Sequence, residues 1–209
     1  MTTKCVAGTL VLSIVLIGGP SLALAQGGGT TRMSGMDMGH MHHEIVIPKG
    51  ALYTKADVEF MQGMIAHHSQ AIVMSRMAES HGANPQVLKL SNKIDQSQLP
   101  EIRLMQGWLT RNNQFAPDTS SWRNMMMAGM LTPEQLKELD AARGVDFDRA
   151  YLQMMIQHHA GALKMVDDLF NASLAGQEVD VNVFANDVVT AQTTEIGIMQ
   201  RLLTQLAAK

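Results

Sequence analysis

The sequence carries two adjacent histidine pairs, each set among methionines and aliphatic residues. They stand in "GMIAHHSQAIVM" (63–74) and in "MMIQHHAGALKM" (154–165). Thioether sulfur is a soft ligand that suits Cu(I), and imidazole binds copper in either oxidation state. A thioether has no proton to lose, and imidazole only has to be neutral. Such clusters could therefore bind Cu(I) near neutral pH without a thiol.

The two clusters belong to an internal repeat. Aligning His68 with His159 also aligns several neighbouring residues, and the helices that follow can be aligned in the same way. The matching pairs include Asp57/Asp148, Met64/Met155, Gln98/Gln192, Glu101/Glu195 and Met105/Met199. A helical hairpin thus occurs twice, and each copy has one apolar face that needs a partner. Two hairpins packed together predict an all-α protein, a four-helix bundle.

Capping residues predict where the helices begin and end. Thr54 with Asp57 three residues on, and Asn84 followed by Pro85, are typical helix starts. They predict long helices over 54–81, 85–112, 146–176 and from 180 to the C-terminus. A short helix is predicted from Thr132, with Gly144 as its stop. The bundle would span 51–209, with hairpins at about 54–113 and 146–208 and a connector at 114–145.

Residues 1–25 have the pattern of a signal peptide. A basic Lys4 precedes an apolar run, and "ALA" at 23–25 fits a cleavage site. The run is shorter than the ~20 residues of a membrane span. We therefore expect a periplasmic or secreted protein with no membrane span after signal removal. The single cysteine, Cys5, would leave with the signal, so methionine would be the only soft ligand.

Residues 26–50 form a Gly-, Met- and His-rich segment without a regular apolar pattern. This composition predicts a flexible, disordered tail. An inert linker is the alternative interpretation, but a polar, glycine-rich tail offers its methionines nothing to pack against. The candidate copper ligands in the tail are Met33, Met36, Met38, His40, Met41, His42 and His43.

Helical geometry places one histidine of each pair on the face toward the bundle centre. A rotation of about 100° per residue puts Met61, Met64 and His68 on one stripe, and Met155 and His159 on its counterpart. The facing helices present a carboxylate and a methionine each. The other histidine of each pair is predicted on a flank. The candidate ligands of the bundle are Met61, Met64, His67, His68, Glu101, Met105, Met155, His158, His159, Glu195 and Met199. The alternative is a satisfied His–Glu pair with methionine packed around it.

Other classes of protein fit the sequence less well. No Glu-x-x-His motif occurs, which disfavours a ferritin-type di-iron site, and zinc gives no reason for 18 methionines. A net charge of −3 with no basic stripe disfavours nucleic acid. We find no nucleophile–base arrangement and no phosphate loop, so no enzyme activity is expected. Two alternatives stay open: a non-covalent haem bundle for electron transfer, and a metal-free interaction module.

Four segments resemble the signature of a known family. They are "FMQGMIAHHSQAIVM", "EIRLMQGWL", "MMMAGMLTPEQL" and "YLQMMIQHHAGALKM". From Thr54 onward the chain is similar to an exported, ferritin-like, four-helix family catalogued as a domain of unknown function. The resemblance implies periplasmic or extracellular copper binding and a role in copper tolerance. The matching ligand positions are Met64, His67, His68, Met155, His158 and His159.

The donor set favours Cu(I) over Cu(II), but it does not separate copper from silver, which asks for similar donors. A copper-exporting or copper-accepting protein would be the partner. One departure from the family pattern is Pro100, directly before Glu101. A proline there predicts a kink that either re-aims Glu101 or makes the first site less regular than the second.

Overall fold

The structure, a computed structural model, describes residues 44–208. This part of the chain is helical and contains no strand. Its elements are α1 (Lys55–Ser80), α2 (Pro85–Arg111), a 3₁₀ turn (Ser121–Arg123), α3 (Pro133–Ala141), α4 (Gly144–Asn171) and α5 (Val179–Ala207). The predicted signal peptide and the candidate ligands from Met33 to His43 lie outside the described residues.

Three helices begin at the caps that the sequence predicts. Thr54 and Asp57 form a capping box, in which the Asp57 carboxylate accepts from the Thr54 backbone N–H at 2.6 Å. Asn84 caps α2 by accepting from two backbone N–H groups, and Pro85 occupies the first helical position. Thr132 caps α3 through a second capping box. These side chains satisfy backbone donors that have no partner within the helix.

Two predicted helix ends were wrong. Gly144 does not stop α3, which ends at Ala141; instead Gly144, with a φ of +58°, begins α4. Its N–H donates to the His81 carbonyl at 2.8 Å, so a contact with the other hairpin fixes this start. The predicted third long helix also ends earlier, at Asn171, because the following turn places Leu174 and Gly176 at positive φ.

The long helices pack as two hairpins that meet through one helix of each. α1 lies along α2, α4 lies along α5, and the main contact between the hairpins is that of α1 with α4. The first turns of α1 share an apolar cluster with the last turns of α4, and the last turns of α1 share a second cluster with the first turns of α4. α1 and α4 therefore run antiparallel, and the histidine pairs lie between the two clusters.

Two repeat-related aspartates tie each hairpin to the loop of the other. Asp57 at the start of α1 accepts from the Gly176 N–H at 2.7 Å, in the α4–α5 loop. Asp148 near the start of α4 accepts from the side-chain amide of Asn84 at 2.6 Å and from its backbone N–H at 3.1 Å, in the α1–α2 loop. Both aspartates are buried. These bonds fix the antiparallel registration that brings the histidines together.

Replacing Asp148 with alanine should lower the free energy of unfolding by about 2–3 kcal/mol. The change removes charge-assisted hydrogen bonds and leaves the Asn84 amide without its acceptor. Urea unfolding followed by circular dichroism measures the effect. Asp146→Ala, at an exposed position in the first turn of the same helix, is the control and should cost less than about 1 kcal/mol. Equal losses in the two variants would contradict a tie between the hairpins.

Candidate metal centre

The four core histidines meet where α1 crosses α4. His67, His68, His158 and His159 are all fully buried. The rings of His67 and His158 are 3.8 Å apart between centroids and tilted by 44°, and those of His158 and His159 are 6.3 Å apart. The repeat explains the arrangement, because each hairpin contributes one adjacent pair to a common centre.

The sequence-based prediction that His67 and His158 point to a flank away from the centre was wrong. The flanks of α1 and α4 face each other across the crossing, so residues predicted at the edge become buried. Met74, which helical periodicity puts on the same flank as His67, is fully buried as well. Helical periodicity gives the direction of a side chain from its own helix, but it does not say which neighbour covers that direction.

Three of the histidines are each held at Nε2 by an oxygen. His68 donates to Glu101 at 2.8 Å, His159 donates to Glu195 at 2.9 Å, and His67 donates to the Ala128 carbonyl at 3.1 Å. Because these oxygens accept the hydrogen, Nδ1 carries the lone pair in each neutral ring. The tautomers are thereby assigned by the partners of the rings.

The remaining ring nitrogens are buried and have no hydrogen-bond partner. They are His67 Nδ1, His68 Nδ1, His159 Nδ1 and both nitrogens of His158. Leaving a buried polar atom unpaired costs about 1–3 kcal/mol. Histidines that bind metals commonly donate their other N–H to a carboxylate or a backbone carbonyl. The alternative interpretation, a satisfied His–Glu pair, thus explains the hydrogen bond at Nε2 but does not explain why Nδ1 is buried without a partner.

Burial favours the neutral form of three of these imidazoles, those of His67, His158 and His159. It lowers the pKa of His67 to about 3, and the neighbouring His68 adds to the effect. Burial and then the proximity of His67 hold the pKa of His158 well below its usual value. For His159, burial also lowers the pKa, although the bond to Glu195 opposes it. Neutral imidazole is the form that can bind a metal ion.

The predicted methionines lie on the same helices and are fully buried. Met61, Met64 and Met105 belong to one apolar cluster, and Met155 and Met199 belong to the other. Met61 has an apolar counterpart, Leu152, in the second hairpin. Among residues 44–208, no three or more His, Cys, Asp or Glu side chains are arranged to hold a metal ion.

Two buried glutamines were not among the ligands predicted from the sequence. Gln98 and Gln192 lie one turn before the core glutamates and are 3 % exposed, and the side-chain oxygen of each has no hydrogen-bond partner. The repeat alignment pairs the two glutamines with each other, and this pairing is the sequence signal that could have identified them. They are not among the predicted ligands, because amide oxygens are hard donors and the methionines of the sequence indicate a soft ion.

The two His–Glu pairs differ in their exposure to solvent. The Glu101 side chain is 28 % exposed, whereas that of Glu195 is 3 % exposed. Lys93 donates to Glu195 at 3.2 Å, and the repeat position that corresponds to Lys93 is the acidic Asp187. Burial opposes ionisation of Glu195, yet the bonds from His159 and Lys93 lower its pKa. The second carboxylate is therefore already neutralised by a cation from the first hairpin.

Pro100 does not divide α2, which continues from Pro85 to Arg111. Glu101 still bonds His68 at nearly the same distance as its counterpart does in the second hairpin. The two His–Glu pairs differ instead in solvent exposure and in Lys93, and nothing in the structure relates that difference to Pro100.

The fold and the site define an all-helical protein made from two related hairpins that enclose a histidine cluster. The chain belongs to the family described as a domain of unknown function, DUF305, whose family model matches residues 57–203. No curated protein matches the sequence.

Several solved structures are similar to this chain. A DUF305 protein from Streptomyces coelicolor, provisionally described as secreted, is 30% identical, with 74% of this chain and 95% of that one covered and a TM-score of 0.63. A DUF305 fragment from Deinococcus radiodurans is 27% identical, with 73% and 98% covered and a TM-score of 0.64. CopM in its Cu(I)-bound form is 26% identical, with 71% and 96% covered and a TM-score of 0.58. CopM has also been solved in Cu(II)-bound and silver-bound forms.

Within residues 44–208, no helix combines the length and the apolar character that crossing a membrane requires.

The stability of the metal-free protein should fall as the pH is lowered from 7 to 5. Burial holds the pKa values of His67, His158 and His159 below the unfolded value of about 6.5, so the unfolded chain binds more protons in this range. Each histidine that stays neutral should contribute roughly 1 kcal/mol per pH unit. Urea unfolding at several pH values measures the slope, which should level off above about pH 7.

The matched comparison is His158→Leu, which removes one buried imidazole and leaves the other titrating groups in place. Its pH slope should be shallower than that of the wild type. The same slope in both proteins would show that His158 does not contribute to the pH dependence.

Proposed function

We propose that this protein is an exported copper-binding protein that sequesters or transfers copper and so contributes to copper tolerance. The observation that carries the proposal is the set of five buried, unpartnered ring nitrogens on four histidines. Buried methionines on the same helices add soft donors, which favours Cu(I) over Cu(II) and is compatible with silver. The CopM structures support the choice of metal, since they contain Cu(I), Cu(II) or silver.

In this proposal each hairpin contributes one site to a ferritin-like four-helix bundle. The first site consists of Met61, Met64, His68, Glu101 and Met105; the second consists of Met155, His159, Glu195 and Met199. The glutamates orient the imidazoles by accepting from Nε2, and Nδ1 faces the ion. A carboxylate beside the ring also raises the basicity of the ligand nitrogen.

The export signal, the tail and the partner complete the proposal. Residues 1–25 would direct the chain to the periplasm or the medium. Residues 26–50 would collect copper through Met36, Met38, His40, Met41, His42 and His43, raising the local ligand concentration near the bundle. A copper-exporting or copper-accepting protein would supply or receive the ion. We propose no catalytic role.

Replacing His68 and His159 together with alanine should lower bundle-bound copper while the helical spectrum is retained. Both changes remove an Nδ1 donor and the hydrogen-bond partner of a glutamate. Titration of the mature protein with Cu(I) under reducing conditions, or with Ag(I) in air, should show at least one equivalent lost or its affinity lowered at least tenfold. The segment 26–50 is present in both proteins, so its contribution cancels.

His81→Ala is the control for this titration. The ring nitrogens of His81 both have partners, in Ser80 and Asp140, so its loss should leave metal binding unchanged. Unchanged stoichiometry and affinity in the double variant would contradict the proposed metal sites in the hairpins. A Soret band in the protein as purified would instead favour the haem alternative.

The Lys93→Gln variant should bind metal more tightly at the second site. The Lys93 ammonium occupies the carboxylate of Glu195, and removing it restores an uncompensated negative charge beside His159. The same titration should show an affinity increase of several-fold for one equivalent. Lys89→Gln, one turn earlier on α2, is the control; an equal increase there would mean that net charge alone is responsible.

A further inference from the structure

We propose that a groove between α2 and α5 binds an aliphatic carboxylate, whose hydrocarbon chain covers the apolar lining and whose head group pairs with Lys89 and Lys93. The groove has a volume of about 710 Å³, which lies in the range of small-molecule sites. It lies apart from the histidine crossing, and none of its residues is a predicted metal ligand. The residues that line it are Ala83, Pro85, Gln86, Leu88, Lys89, Leu90, Asn92, Lys93, Gln96 and Ile198.

The groove exists because the hairpins meet mainly through α1 and α4. The two outer helices, α2 and α5, touch at few points, which leaves a groove beside the first half of α2. Ile198 of α5 lines this groove from the other hairpin. Leu90 belongs to the apolar cluster that the last turns of α1 share with the first turns of α4, and Leu88 and Ile198 pack against that cluster. The apolar lining is therefore continuous with the hydrophobic core.

The apolar lining favours a hydrocarbon chain over an aromatic ring. Its apolar side chains are aliphatic, and no aromatic residue is among the described residues that line the groove. An aromatic ligand gains most from rings that it can stack on or meet edge to face. A flexible chain gains by removing apolar surface from water and needs no such partner. The groove therefore fits an aliphatic ligand.

Two lysines determine the charge of the head group. Lys89 and Lys93 are four residues apart and so lie on one face of α2. Lys93 donates to Glu195 at 3.2 Å, whereas Lys89 has no ion-pair partner within residues 44–208. None of the described residues that line the groove is acidic. A ligand with one negative charge at the end of an aliphatic chain thus complements both the lysines and the apolar lining.

The head group would also act on the proposed second metal site through Lys93. Glu195 accepts from Lys93 and from His159, the latter at 2.9 Å. A ligand carboxylate would compete with Glu195 for the ammonium and add a negative charge beside it. Cation binding at the second site should then strengthen, and by linkage the metal should strengthen ligand binding by the same factor. This coupling rests on the proposed function, whereas the binding of a carboxylate in the groove does not.

The test is a calorimetric titration of the metal-free mature protein with decanoate, kept below its critical micelle concentration. One equivalent should bind. Replacing Lys89 and Lys93 together with glutamine removes both positive charges, so the affinity should fall at least tenfold. The matched control replaces Lys137 and Lys164 with glutamine, which makes the same change in net charge at exposed positions on α3 and α4. This control variant should bind as the wild type does.

Two further ligands separate the chain from the head group. Butanoate should bind at least tenfold more weakly than decanoate, because its shorter chain buries less apolar area. Decyltrimethylammonium has the same chain length with a cationic head group and should show no measurable binding. Equal affinity for decanoate in the two double variants, or equal binding of the anionic and cationic amphiphiles, would overturn the assignment.

Isoleucine methyl NMR locates the ligand. The Ile198 signal, assigned by its absence in Ile198→Val, should shift on addition of decanoate to protein labelled with ¹³C at the isoleucine methyls. Binding that leaves the Ile198 signal unshifted would place the ligand elsewhere and overturn the groove.

A titration with Cu(I) against a competing chelator tests the coupling. Saturating decanoate should raise the affinity for one equivalent of Cu(I) several-fold, and Lys93→Gln should abolish that increase. Decanoate binding with unchanged Cu(I) affinity would overturn the coupling alone. A protein that binds Cu(I) but not decanoate would overturn the groove and leave the proposed function intact. A protein that binds decanoate but not Cu(I) would overturn the proposed function and the coupling, and leave the groove.

Discussion

The antiparallel crossing of α1 and α4 is the contact on which the rest of the structure depends. It places four imidazoles in a largely apolar interior, and an apolar core does not need them. Each unpaired nitrogen there costs stability, and the cost is repeated around the crossing. Hydrogen bonds between the hairpins at both ends, through Asp57 and Asp148, offset this loss of stability. They hold the helices in the registration that brings the rings together. We interpret the unpaired ring nitrogens as those of a binding site, in which a ligand would supply the missing partners.

The duplicated hairpin gives the site its donors, and divergence between the copies gives the two sites different properties. Both copies keep the bond from histidine to glutamate, at 2.8 and 2.9 Å. The second glutamate is shielded from solvent and neutralised by Lys93, whereas the first is partly exposed. A site open to solvent with a free negative charge can exchange ions more readily than a closed, neutralised one. Under the proposed function, the first site is therefore the more accessible to ions from solvent, and Lys93 weakens cation binding at the second.

The sequence was sufficient to predict the long helices, the repeat and the facing positions of the two His–Glu pairs. Local signals such as Thr54 with Asp57, and Asn84 with Pro85, identify helix starts because capping depends on neighbouring residues. Periodicity correctly placed His68 and Glu101 on facing stripes. It failed for His67 and His158, since their burial is decided by how one hairpin docks on the other. The connector was predicted only as a Met-rich segment, because its contacts with His67 and Gly161 depend on tertiary packing.

The connector shows how tertiary packing sets the chemistry of a side chain. Gly129 and Gly161 allow its backbone to lie against α4, and its buried Met130 and Leu131 side chains add apolar contact. From α1, His67 donates to the Ala128 carbonyl and Gln70 donates to the Leu131 carbonyl. Because the Ala128 carbonyl accepts from Nε2, the lone pair of the neutral His67 ring lies on Nδ1. Packing of the connector therefore fixes the tautomer of a buried imidazole as well as its position.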